Sequence, residues 1–168
     1  MKIVSILADK LFAFHYVDED EHEYNRLMEL WTDVSFLKSY ANKNNIDDVT
    51  TFINDILQDA EQIQDFLENL NQNNQPYEFY FEPLKTSESI KSLAFHKGKI
   101  KKNRLRFYAI KLDANCFVIT GGAIKMSQKM QDHPDTNNEL IKLKKARAYL
   151  NINGVFDEDS FYELLIEQ

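Results

Sequence analysis

Leu105-Arg106-Phe107-Tyr108-Ala109-Ile110-Lys111-Leu112, continuing through Asp113-Ala114 into Asn115-Cys116-Phe117-Val118-Ile119-Thr120-Gly121-Gly122-Ala123-Ile124-Lys125, is the stretch that decides the fold. Both runs are rich in β-branched and aromatic residues, and a short turn signal separates them. They read as two strands of an antiparallel hairpin, Arg104–Leu112 and Asn115–Lys125. Alternate residues of a strand share a face, so Leu105, Phe107 and Ala109 form a core face and Arg104, Arg106 and Tyr108 the other. Pairing Leu112 with Asn115 sets Arg106 opposite Gly121, Arg104 opposite Ala123 and Lys102 opposite Lys125. Fixed cations would then border a floor with almost no side chain, giving room for a sugar beside donors that match phosphate oxygens. Gly121-Gly122 is equally a place for a β-bulge, which would turn Lys125 to the opposite face.

Working outward, Lys2–Leu7 and Leu11–Val17 are apolar runs forming a β-hairpin or one long bent strand. The acidic entry Asp18–Glu23 leads into a helix with Tyr24, Leu27, Met28 and Trp31 at helical spacing, and a short helix follows Thr32-Asp33. From about Asp47 to Leu70 one apolar stripe, including Phe52, Ile56, Ile63 and Leu67, predicts a long helix capped by Asn45, with Asp48 in its first turn. Tyr77–Leu84 reads as a strand, and Ser87–Lys97 as a short helix ended by Gly98. Thr136-Asn137-Asn138-Glu139 has the form of a capping box for a helix running to Leu150, and Asp157 starts a final short helix. The expectation is an α+β fold: an antiparallel sheet with N-terminal helices packed on it, followed by C-terminal helices. A single domain over residues 1–168 is expected, with a hairpin and acidic helices over 1–71, a basic sheet core plus helix over 77–150, and a last helix over 155–168.

Composition narrows the function classes. The chain has 168 residues, 43% of them hydrophobic and 28% charged, which is ordinary for a globular protein. Its four glycines spell neither a dinucleotide-binding fingerprint nor a P-loop, so no small-molecule cofactor is expected. A lone Cys116 excludes an internal disulfide and a cysteine-rich zinc site, and His15, His22, His96 and His133 are too scattered for a metal pattern. No metal is expected. The first apolar run breaks at Asp9-Lys10, too short to span a membrane, so no membrane association and a cytoplasmic location are expected. The net charge of −7 argues against a nucleic-acid partner, but its distribution argues for one. Val17–Leu70 holds 14 acids and 3 bases, whereas Lys85–Met130 holds 11 bases and 2 acids. That asymmetry is a hint of an anionic partner such as RNA; it also fits a solvated basic hairpin packed on an acidic helical layer.

Arg104–Leu150 resembles the core of the RelE/HigB group of bacterial and phage-derived toxins from toxin–antitoxin systems. The matching pieces, in order, are the arginine-aromatic strand at Arg106-Phe107-Tyr108 and the apolar strand Phe117–Lys125 ending in small residues and a lysine. The polar turn at Ser127-Gln128-Lys129 with Pro134 follows, and then the helix Glu139–Leu150. The resemblance implies a small α+β fold with an antiparallel sheet backed by helices. It also implies a metal-independent mRNA endoribonuclease, usually acting in the ribosomal A site and neutralised by a cognate antitoxin. There the RNA's own 2′-hydroxyl attacks the adjacent phosphate. Carried onto this chain, Arg104 and Arg106 would stabilise the transition-state phosphate, Lys125 would add a cation, and Tyr108 would orient the ribose or shuttle a proton. Lys99, Lys101, Lys102, Gly121, Gly122 and Lys129 would bind the RNA. The alternative is a non-catalytic binding or regulatory protein on the same fold, contacting RNA or a partner protein.

Overall fold

The computed structural model describes residues 1–84, 93–126 and 133–168. Its order is β1 (Lys2–Leu7), β2 (Leu11–His15), α1 (Glu23–Trp31), α2 (Val34–Lys43), α3 (Val49–Gln72), a single 3-10 turn at Tyr77–Phe79, β3 (Phe81–Pro83), β4 (Phe95–Gly98), β5 (Leu105–Asp113), β6 (Cys116–Ile124), α4 (Pro134–Ile152) and α5 (Glu158–Glu167). The strands form one sheet in the order β1-β2-β6-β5-β4-β3. This is an α+β fold. The sheet is mixed, however, because β2 and β6 run parallel, pairing Leu11–Ala13 with Phe117–Ile119. β1 and β2 form a true hairpin, its turn made by Ala8 and Asp9 at φ 49° and 53°.

Apolar layers cover both faces. α1, α2 and α3 bury Leu27, Trp31, Leu37, Phe52, Ile56 and Ile63 against Leu105, Phe107, Phe117 and Ile119. α4 and α5 bury Leu143, Leu150 and Phe161 against Phe12, Phe14, Tyr108, Ile110 and Val118. Strand alternation assigns the residues of β5 and β6 to these two layers, and each layer needs the other half of each strand. The long apolar stripe behaves as its spacing dictates: Phe52, Ile56, Ala60, Ile63, Leu67 and Leu70 form the buried face of α3.

Several local expectations are corrected. Asp48 caps α3 by accepting from the Thr51 N–H, while Asn45 sits outside the helix at φ 56°. Phe95–Gly98, expected to end a helix, is β4, because its main chain pairs with Phe81–Pro83 on one side and with β5 on the other; the rest of that expected helix, residues 87–92, lies outside the described residues. α4 begins at Pro134 with His133 as its cap, not at a capping box on Thr136, since proline suits the first helical turn, where its missing N–H costs nothing. The expected strand Tyr77–Leu84 shortens to Phe81–Pro83 behind the 3-10 turn.

Candidate nucleic-acid interface

The register of the central hairpin differs from the expected one. Arg106 pairs with Ala123 and Tyr108 with Gly121, and the register slips between Tyr108 and Ala109, leaving Thr120 as an extra residue in β6. The side chains alternate as expected, with Arg106 and Tyr108 sharing a face opposite Leu105 and Phe107. That face is not open to solvent. Tyr108 is 1% exposed and Arg106 9%. Burial pushes the Tyr108 phenol up to about 12, with the Arg106 charge opposing it, and pulls the Arg106 guanidinium below its usual value. Arg106 Nη1 donates to the carbonyls of Asn103 and Leu105, so this guanidinium is tied to its own main chain.

Arg104 goes the other way. It stands outside β5, exposed, with its guanidinium 5.8 Å from the Phe52 ring of α3. The two arginines expected to grip one phosphate therefore part company: Arg104 is exposed against α3, and Arg106 is buried and tied to its own main chain. Lys125, just past β6, donates its main-chain N–H to the Arg104 carbonyl at 2.7 Å. Lys129 lies outside the described residues.

Gly121 and Gly122 do not make a bare floor either. Gly121 faces α4, where an added methyl would collide with Glu139 Oε1, and at Gly122 it would meet the Arg106 carbonyl at 2.7 Å and Trp31 at 3.0 Å. The glycines serve packing: they let a carboxylate and an indole approach the strand. Glu139 Oε1 accepts the Gly122 N–H at 2.7 Å. Glu139 belongs to a network in which Lys142 bridges Glu23 (3.3 Å) and Glu139 (3.5 Å), while Arg26 forms a two-pronged bond to Glu23. Glu23 is 1% exposed. Burial raises the Glu139 carboxyl above its usual range, opposed by Lys142 and the Gly122 N–H. Arg26 and Glu139 of this network also line a cleft of about 370 Å³, together with Trp31, Phe36 and Lys43. Two acids and two bases here compensate one another.

What the structure does gather at the surface is the β4–β5 connection. Lys99, Lys101, Lys102 and Arg104 are all exposed within six residues. The turn is closed by the Asn103 N–H on the Ile100 carbonyl at 3.0 Å, with Lys102 in the left-handed region at φ 67°. Asn103, overlooked in the sequence reading, is the anchor. Its buried carboxamide donates to the Asp59 carbonyl and to Gln62 Oε1, both at 2.9 Å, and accepts from the Leu105 N–H at 2.8 Å. Asp59 adds a second tie from α3, accepting the Arg104 N–H at 3.0 Å. The four cations thus ride on a turn pinned to the longest helix. The only advance signal for Asn103 was a polar residue between a lysine run and an apolar strand.

Among the described residues no group of three or more His, Cys, Asp or Glu is placed to hold a metal ion, and no helix is long and apolar enough to cross a membrane. Cys116 is buried, and burial pushes its thiol up to about 12, which marks a core residue and not a nucleophile. His133 is occupied as the α4 cap, its Nε2 lying 3.1 Å from Asn44 Oδ1. No protein-family model, curated protein or solved structure matches this chain.

Proposed function

We propose that the protein is a non-catalytic binding protein that contacts RNA through its β4–β5 turn. One observation carries this reading: Lys99, Lys101, Lys102 and Arg104 project together from a turn that Asn103 fixes to α3, whereas Arg106 and Tyr108 are buried. Exposed cations within a few residues of one another neutralise neighbouring phosphates and release counterions. A pinned turn keeps them from losing that freedom on binding. The acidic segment Val17–Leu70, with 14 acids to 3 bases, disfavours polyanion contact along its own helices and so directs such a partner away from them.

The test is fluorescence anisotropy with a labelled single-stranded RNA across a salt series, together with a cleavage assay containing ribosomes and mRNA. Wild-type protein is expected to bind with an affinity that falls as salt rises, and Lys101→Glu/Lys102→Glu to lose at least about tenfold while shallowing the salt slope. No cleavage is expected. RNA affinity indifferent to the double charge reversal removes the reading.

The toxin-like endoribonuclease with a cognate antitoxin is a second reading, favoured by one specific feature. Lys97 and Arg106 are neighbouring cations on the α4–α5 side of the sheet, beside Tyr108. Burial lowers both below their usual values, and at Lys97 the charges of Lys99 and Arg106 add to the effect while Glu82 opposes it. Two desolvated like charges gain from an anion placed between them. Ribosome-dependent cleavage that disappears in Lys97→Ala, with the fold intact, would favour this second reading over the first.

A further inference from the structure

β1 is an outer strand of the sheet, and an outer strand offers a row of main-chain groups to any other strand. One of those pairs is already taken. The Ile3 N–H donates to Gln168 Oε1 at 3.0 Å, and Gln168 Nε2 donates to the Ile3 carbonyl at 2.6 Å. A carboxamide presents a donor and an acceptor side by side, so a single side chain reproduces what a neighbouring strand would supply at that position. The carboxamide is held in place by the helix before it. Phe161 of α5 is fully buried with its ring 5.1 Å from Phe12, the Tyr162 hydroxyl donates to the Asp9 carbonyl at 2.7 Å, and Lys10 pairs with Glu158 at 3.4 Å.

The register shows which partner this blocks. Ile3 lies opposite Phe14 and Ser5 opposite Phe12 in the β1–β2 ladder. Because the Ile3 main chain turns outward to Gln168, strand alternation turns that of Ser5 outward too, and leaves Val4 to bond inward with β2. Two copies of β1 laid antiparallel about Val4 would place Ile3 of each opposite Ser5 of the other. Every outward pair then finds a complete partner, and side chains meet on matching faces. The segment Lys2–Leu7 carries one charge and β-branched residues at three of its six positions, a composition suited to such pairing.

We propose that the Gln168 carboxamide is an edge plug: it occupies the main-chain pair through which β1 would otherwise join β1 of a second copy of this chain. Breaking the plug frees both ends of a symmetric ribbon at once.

Sedimentation velocity on the full chain tests this. Wild-type protein is expected to run at its monomer mass of 19.8 kDa. Gln168→Ala is expected to associate at least about tenfold more tightly, giving a species of twice that mass at concentrations where wild type stays single. Gln168→Glu, which can still accept but no longer donate, is expected to fall between them. Two second-site changes check the surface. Ser5→Pro removes an outward N–H without touching the β1–β2 ladder, and Val4→Lys sets two like charges together at the symmetry axis; in the Gln168→Ala background each should restore the monomer, with far-ultraviolet circular dichroism confirming the fold. A Gln168→Ala protein that stays monomeric wherever wild type does, or a dimer that survives both second-site changes, overturns the proposal.

Discussion

Two groups of four charged residues differ in sign pattern and in burial. In the β4–β5 turn, Lys99, Lys101, Lys102 and Arg104 share one sign and all face water. Beside β6, Glu23, Arg26, Glu139 and Lys142 alternate in sign, and their acids are buried. The chemistry of the side chains is similar, but their energetics are not. Exposed cations barely affect stability and are available to a partner, because water screens them until a phosphate replaces it. Buried carboxylates are committed to the cations beside them, and removing one partner leaves the others desolvated and unmatched.

The largest expected effect is in the buried group. Glu23→Ala strands Arg26 and leaves Lys142 with Glu139 as its carboxylate partner, and because both cations are partly exposed the expected loss is about 3 kcal/mol, at the lower end for a broken buried pair. Urea denaturation measures it, and a loss under about 1 kcal/mol would place the network among ordinary surface pairs. Asn103→Ala comes next, at about 2 kcal/mol, since it leaves the Leu105 N–H without its acceptor and unpins the turn from α3. The same variant should weaken RNA binding without changing any charge, which sharpens the claim that a fixed turn matters.

A smaller effect concerns pH. The folded Glu139 carboxyl ionises above its unfolded value near 4.5 because it is buried. The folded protein therefore binds the proton more tightly than the unfolded chain, and stability from this group is fully present below about pH 4.5 and is lost as pH rises through the folded value. Wild type should lose stability relative to Glu139→Gln over that interval, read as the difference in their urea midpoints at each pH. A difference flat with pH would contradict the assignment. The smallest effect belongs to the turn: Lys101→Ala and Lys102→Ala should each shift stability by less than about 0.5 kcal/mol, as expected of solvated lysines. A larger loss would mean that these side chains hold the fold and are not reserved for a partner.

The difference between the two groups also explains where reading the sequence succeeded. The apolar stripe of α3 and the alternation of Leu105, Phe107 and Ala109 are local periodicities, and each emerged as the buried face its spacing implied. Lys99, Lys101 and Lys102 fall within a few residues, so their clustering is legible in the sequence, but the turn that carries them is not, since the expected register sets Lys102 opposite Lys125 in the ladder. Arg106 was misplaced because its alternation gives a face but not what covers that face, and the α4–α5 layer comes from residues about 30 or more positions later. Phe95–Gly98 was misread as helix for the same reason, its extended form being fixed by strands on both sides of it.

The chain's own order of residues determined the long helix α3 and the central hairpin, which of their faces are apolar and where charge concentrates, because those follow from spacings of two, three and four along a backbone. Tertiary structure alone decided that β2 and β6 lie parallel, that Gly121 and Gly122 receive a carboxylate and an indole, and that of two arginines two residues apart one is exposed against Phe52 and the other buried on its own main chain. Whether a charge is solvated or buried depends on neighbours brought from distant parts of the chain, and no local pattern contains that information.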